Sequence, residues 1–107
     1  MNIINNPQYW VATWGYEQTN IDFYLVIKKT KNTVWLQKAV IAHRKPAGAW
    51  AQEYIAPLPC PEANAPILRR KVQRYSYNGK EEQFCRIASY SQASPWNGEP
   101  VLETSYA

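Results

Sequence analysis

The sequence predicts an all-β domain, a small, partly open barrel of SH3-like or OB-like type with about five strands and a long Pro/Ala-rich loop. Three observations carry this expectation. Apolar residues alternate with polar ones in several short segments, the period of a half-buried strand. An Asn-Gly pair at 78–79 separates two such segments, the strongest short-range signal for a hairpin. No segment sustains a helical period over ten residues. At 107 residues the chain suits one domain, 1–107, with the Pro/Ala-rich stretch 44–66 as an insertion. A sandwich would need about seven strands.

The elements follow in order. Tyr9 to Trp14 is β-branched and aromatic between Pro7 and Gly15 and reads as the first strand. Ile21 to Lys29 alternates, with Phe23, Leu25 and Ile27 on one face and Tyr24, Val26 and Lys28 on the other. Thr30, Lys31 and Asn32 turn the chain into a third strand, Thr33 to Ala42, with Val34, Leu36 and Val40 on one face. From Arg44 to Pro66 six Ala and five Pro replace this pattern. Pro57, Pro59 and Pro61 forbid a helix and favour an extended run, while Ala49 to Ile55 suits one or two helical turns. So long a loop is expected to be functional, mobile, or a cover for one end of the barrel. Ile67 to Tyr77 and Lys80 to Ser91 then form a hairpin about Asn78-Gly79. A two-residue loop places Val72 opposite Cys85, Arg70 opposite Ile87 and Leu68 opposite Ser89. The other face shows Arg69, Lys71, Tyr75 and Tyr77 beside Phe84, Arg86 and Tyr90, and a one-residue bulge would exchange the faces of one strand. Ser94 to Gly98 is a turn, and Val101 to Tyr106 offers a last short strand.

Composition narrows the function classes. Hydrophobic residues make up 46% and charged residues 19%, with five Trp, eight Tyr and two Phe. That is the profile of a folded domain rather than a disordered tail. The longest apolar run, Phe23 to Ile27, is far shorter than a membrane span. No secretory signal is visible in residues 1–7, so the expected location is cytoplasmic, with no membrane partner. Cys60 and Cys85 are too few for a disulfide framework. Cys85 reads as a small buried hydrophobe and Cys60 as a loop residue.

Net charge is +4, but its distribution is uneven. Residues 28–74 hold ten basic side chains against Glu53 and Glu62, whereas the segments on either side are each net acidic. A basic middle suits an anionic partner, nucleic acid or an acidic protein surface. The Arg69, Lys71, Tyr75, Phe84, Arg86 and Tyr90 face interleaves cations with rings. Cations neutralise a phosphate backbone while bases stack on the rings. The same residue types also populate protein-binding hot spots. Trp10, Trp14 and Trp35 lie in strands and are expected in the core.

A search for catalysis finds little. His43 is the single histidine, and the cysteines fit no zinc spacing, so no metal site and no cofactor are expected. A Cys–His pair lacks the strand-turn-helix context of a nucleophile. The four glycines form no phosphate-binding pattern. Glu81 and Glu82 point to opposite faces of a strand. The expectation is a protein that works by binding and is not an enzyme.

The stretch Trp14-Gly15-Tyr16-Glu17-Gln18-Thr19-Asn20-Ile21-Asp22-Phe23-Tyr24-Leu25-Val26 resembles a motif of small uncharacterised proteins of phages, prophages and plasmids. Arg69-Arg70-Lys71-Val72 and Ser94-Pro95-Trp96-Asn97-Gly98-Glu99-Pro100 resemble the same group; the 44–66 stretch has no counterpart in the pattern. The resemblance implies a mobile-element origin rather than an activity. Small mobile-element proteins in general often handle nucleic acid or block host defence complexes, as anti-CRISPR-like inhibitors do, and neither role needs an active site. Within the motif, Asn20 and Asp22 suit a structural role in a turn, and Tyr16, Glu17 and Gln18 form a possible binding loop.

Overall fold

A computed structural model describes residues 7–14, 20–46, 52–99 and 101–104, with side chains for 7–14, 20–41 and 55–99. The described residues form nine strands: β1 (Tyr9–Trp14), β2 (Asn20–Lys29), β3 (Thr33–Pro46), β4 (Gln52–Pro61), β5 (Ile67–Lys71), β6 (Gln73–Tyr77), β7 (Lys80–Ala88), β8 (Ser91–Pro95) and β9 (Val101–Thr104). All pairings are antiparallel, in the order β6-β7-β8-β1-β2-β3-β4-β9, with β5 sharing an edge of β3 with β4. The all-β class holds; the five-strand barrel does not.

The long β3 explains the difference. Its first residues, Thr33 to Gln37, pair with β5, and Ala39 to Pro46 pair with β4. Residues 52–71 therefore run back along the whole of β3, interrupted only at 62–66. There Glu62 N–H donates to the Lys38 carbonyl (2.8 Å) and Gln37 Nε2 donates to the Ala65 carbonyl (2.9 Å). Most of the Pro/Ala-rich segment expected as a loop is thus strand, with Pro57 and Pro61 opposite Ile41 and Ala39. Within the stretch expected to hold helical turns, Gln52 to Ile55 is extended, and residues 49–51 lie outside the described ones. The extended preference of alternating prolines prevails over the local helix propensity of Ala, Gln and Glu.

The Asn-Gly hairpin forms as expected. Asn78 and Gly79 take φ of 50° and 76°, and the register runs from Tyr77↔Lys80 to Gln73↔Phe84. It stops at Val72, whose N–H donates instead to Asn32 O (2.9 Å). Beyond it Arg70 and Leu68 pair with Val34 and Leu36 of β3, not with Ile87 and Ser89. Turn chemistry sets only the nearest pairs, and the free edge of β3 captures the rest. The return strand also ends early. Ser89 and Tyr90 make a tight turn into β8, which pairs with both β7 and β1.

Two cores lie on opposite faces of β1-β2-β3. The inner one gathers Trp10, Ala12, Tyr24, Val34, Leu36, Val72, Cys85 and Ala93, with Leu68 and Ile87 against it. The outer one gathers Ile21, Phe23, Leu25, Ala39 and Ile55, closed by Tyr9, Val11, Ile41 and Trp96. Trp96 meets Phe23 and Tyr9 edge-on at 5.3 and 5.5 Å between centroids. Both faces of β2 are apolar because both are buried. A bulge between Val26 and Lys28 breaks its alternation, so Ile27 is exposed rather than aligned with Phe23 and Leu25. Cys60, expected in a loop, is buried in β4, and both cysteines are free thiols.

Candidate nucleic-acid interface

The outer core ends partway along β3. Ile55 and Trp96 cover the Phe23, Leu25 and Ala39 end of that face. Trp35, on the same face by alternation, lies beyond the cover and is partly exposed. The β2 bulge brings Lys28 opposite Trp35 on one side, and the β3–β5 ladder brings Arg69 opposite it on the other. Lys28 Nζ lies 5.0 Å from the ring centroid and the Arg69 guanidinium carbon 5.7 Å. Such contacts are worth about 0.5–1 kcal/mol each at exposed sites. Trp35, expected as core, is instead the centre of a cationic surface.

More cations surround it. Lys71 sits opposite Thr33, and Lys31 stands on the β2–β3 turn, which Thr30 N–H closes on the Thr33 carbonyl (2.8 Å). Asn32, Thr33, Arg69, Arg70 and Lys71 line a shallow depression of about 370 Å³. Arg74 ties this corner to the hairpin by bonding Lys31 O and Asn32 Oδ1 while pairing with Glu81 (3.2 Å). Among the described residues Lys28, Lys29, Lys31, Arg69 and Lys71 have no acidic partner.

A second feature lies across the outer face of β7, β8 and β1. Tyr75 and Phe84 meet at 5.6 Å and 60°, and Tyr90 leans on Trp14 at 5.4 Å. Trp14 is fixed in turn, its Nε1 donating to Asp22 Oδ2 (2.9 Å) while Lys38 pairs with Oδ1 (3.4 Å). These interactions give Asp22 a structural role. The rings, together with Thr13, Ser89, Ser91, Gln92, Ala93 and Ser94, line an open groove of about 630 Å³. Arg86, opposite Gln92, stands exposed on the face that carries Phe84.

The six residues expected on one face therefore divide in two. Tyr75, Phe84 and Tyr90 line the groove with Arg86 alongside, whereas Arg69 and Lys71 join Trp35 on β5. The division falls at Val72, where the strand changes partner. The residues missed from sequence are Lys28 and Trp35. Alternation set Trp35 opposite Val34 and Leu36, but its neighbours depend on a bulge and a non-local pairing. The possible binding loop, Tyr16, Glu17 and Gln18, lies outside the described residues, as does the side chain of His43.

Two buried acids of the inner core are perturbed. Burial first, then the charges of Asp22, Tyr90 and Cys85, push the Tyr24 phenol up to about 12 against a lowering by Arg70. Burial also pushes the Cys85 thiol up to about 11, outweighing Arg70 and the Ala93 backbone hydrogen bond. Cys85 is a protonated, shielded thiol at neutral pH, the opposite of an activated nucleophile. Among the described residues no three of His, Cys, Asp and Glu converge as metal ligands, and no helix is long and apolar enough to cross a membrane. Comparison with protein-family models, curated proteins and solved structures finds no match.

Proposed function

We propose that the chain is a non-enzymatic protein that binds single-stranded nucleic acid on its outer face. In the setting that the sequence resemblance implies, it serves a phage or plasmid as an accessory protein. The observation that carries the reading is Trp35 flanked by Lys28 and Arg69, beside Lys29, Lys31 and Lys71, none of which has an acidic partner among the described residues. A ring offers a stacking face for bases of any sequence, and unpaired cations displace counterions from the phosphate backbone.

The test is fluorescence anisotropy on a labelled single-stranded oligonucleotide at increasing salt. If Lys28, Lys29, Lys31, Arg69 and Lys71 all contact phosphates, the logarithmic salt slope is about −3.5, at roughly −0.7 per contact. Affinity then falls roughly a hundredfold between 50 and 200 mM salt. Arg69→Ala and Lys71→Ala each make the slope shallower by about 0.7. Absence of wild-type binding at micromolar concentration in 50 mM salt overturns the proposal.

A second reading has its own support. Ile27 and Ile67 are exposed, and Ile67 shares the β5 face with Arg69 beside Trp35. An exposed apolar and Arg/Trp surface also fits a protein hot spot. The function would then be that of a host-defence inhibitor, anti-CRISPR-like, docking on an acidic protein surface. Capture of a host complex that survives nuclease treatment, without oligonucleotide binding, selects this reading.

A further inference from the structure

We propose that the groove on β7, β8 and β1 is a mononucleotide-sized site that takes one unstacked base, with Arg86 at its margin receiving the phosphate. The inference deepens the nucleic-acid reading and rests on it. Every residue lining the groove is uncharged, in contrast to the cationic corner around Trp35. A phosphate gains nothing inside such a cavity, whereas a flat, neutral heterocycle does. Tyr75 and Phe84, set at 60° to one another, form a corner in which a base meets one ring face-on and the other edge-on. Tyr90, held by its contact with Trp14, supplies a third ring.

The polar groups suit a base edge. Gln92 presents a donor and an acceptor together, the pair that complements the edge of a nucleobase. Ser91 borders the groove through its backbone, while alternation turns its buried hydroxyl toward the inner core beside Ala93, so Gln92 is the polar side chain beside Arg86 that meets a base edge. Arg86 lies opposite Gln92 and two residues from Phe84, on the same face. That placement separates a nucleotide from a neutral sugar, which stacks on rings equally well but has no use for the cation.

The test is titration of isotope-labelled protein with 5′-mononucleotides, their nucleosides and a neutral monosaccharide, followed by backbone amide shifts. Mononucleotides at up to about 10 mM, a range suited to millimolar affinity, are expected to move amides of residues 75, 84 and 89–94. Nucleosides bind several-fold more weakly, and Arg86→Ala abolishes that difference. Tyr75→Ala, at an exposed position, weakens both ligands roughly tenfold or more, while Arg69→Ala leaves both unchanged. Oligonucleotide binding without mononucleotide shifts in the groove overturns this inference and leaves the nucleic-acid reading standing. Groove shifts without oligonucleotide binding overturn that reading and leave a mononucleotide site. Shifts from the monosaccharide alone overturn the base assignment.

Discussion

Trp35→Leu removes the ring between two cations and leaves an apolar side chain in the same strand position. Lys28 at 5.0 Å and Arg69 at 5.7 Å each contribute about 0.5–1 kcal/mol to a folded state in which the ring holds them. The lost contacts should therefore cost about 1–2 kcal/mol, and the lower strand preference of Leu adds to that cost. Double-mutant cycles isolate the contacts. Lys28→Met and Arg69→Met, each combined with Trp35→Leu, should give coupling energies of about 0.5–1 kcal/mol per pair. Urea denaturation followed by the fluorescence of the remaining tryptophans measures them, with an unchanged slope as evidence that the unfolding reaction is the same. In the binding assay Trp35→Leu should weaken single-strand affinity by about 1–3 kcal/mol without altering the salt slope, because no charge is lost. Coupling energies indistinguishable from zero in both cycles would refute the claim that the ring organises the cations. A lost salt slope would refute the separation of stacking from charge.

Two further outcomes follow from the buried acids and thiols. Tyr24 and Cys85 hold their protons more tightly in the fold than in the unfolded chain, so the folded state binds more protons at alkaline pH. Their contribution to stability is complete below pH 9, declines from there as unfolded thiol and then phenol ionise, and is lost by about pH 11 and 12. The urea midpoint should be lower at about pH 10.5 than at pH 8, and Tyr24→Phe should reduce the difference; an unchanged midpoint contradicts the placement of both groups. Cys60 and Cys85 are both buried, so a thiol reagent should label each only as fast as the chain opens, and rapid labelling of Cys60 in the native protein would show that β4 is not docked.

What the sequence makes legible is whatever depends on near neighbours. β1 is readable to the residue, because Pro7 and Gly15 bound six strand-forming residues. The 73–84 register is readable because positive φ at Asn78 and Gly79 fixes the turn and the turn fixes the pairs. The β2–β3 hairpin is readable because the short polar turn Thr30, Lys31 and Asn32 separates two strand-forming segments. Everything missed depends on distant partners. The alternating prolines announce an extended chain, yet not that β3 lies beside it. Val72 looks like any apolar residue in an alternating strand, and only the free edge of β3 and the Asn32 carbonyl make it the point where the strand changes partner. The face of six candidate residues was legible in its parts, Tyr75 with Phe84 and Arg69 with Lys71, and lost its unity at that one residue. Alternation alone puts Lys28 on the Tyr24 face, because it carries no sign of the bulge at Ile27.

One face of one sheet changes character along β3, and the change follows from how far the covering strands reach. At Phe23, Leu25 and Ala39 the outer face is roofed by Ile55 and Trp96 and is purely apolar. At Gln37, which spends its amide on the Ala65 carbonyl, the roof ends. Two residues earlier the same alternation delivers Trp35 to an uncovered position. A partly exposed tryptophan beside an open sheet invites nonspecific association, and charge is the usual protection for an exposed sheet surface. Lys28 and Arg69 supply it, one through a bulge and one through a strand that leaves its hairpin partner to reach β3. Both irregularities in the fold thus converge on one ring. Neither is needed to bury the outer core, which is complete without Lys28, Trp35 or Arg69. The β3–β5 pairing also lays Leu68 and Val72 against the inner core, so packing on one face of β5 fixes the strand whose other face carries Arg69 to Trp35, where the proposed binding rests.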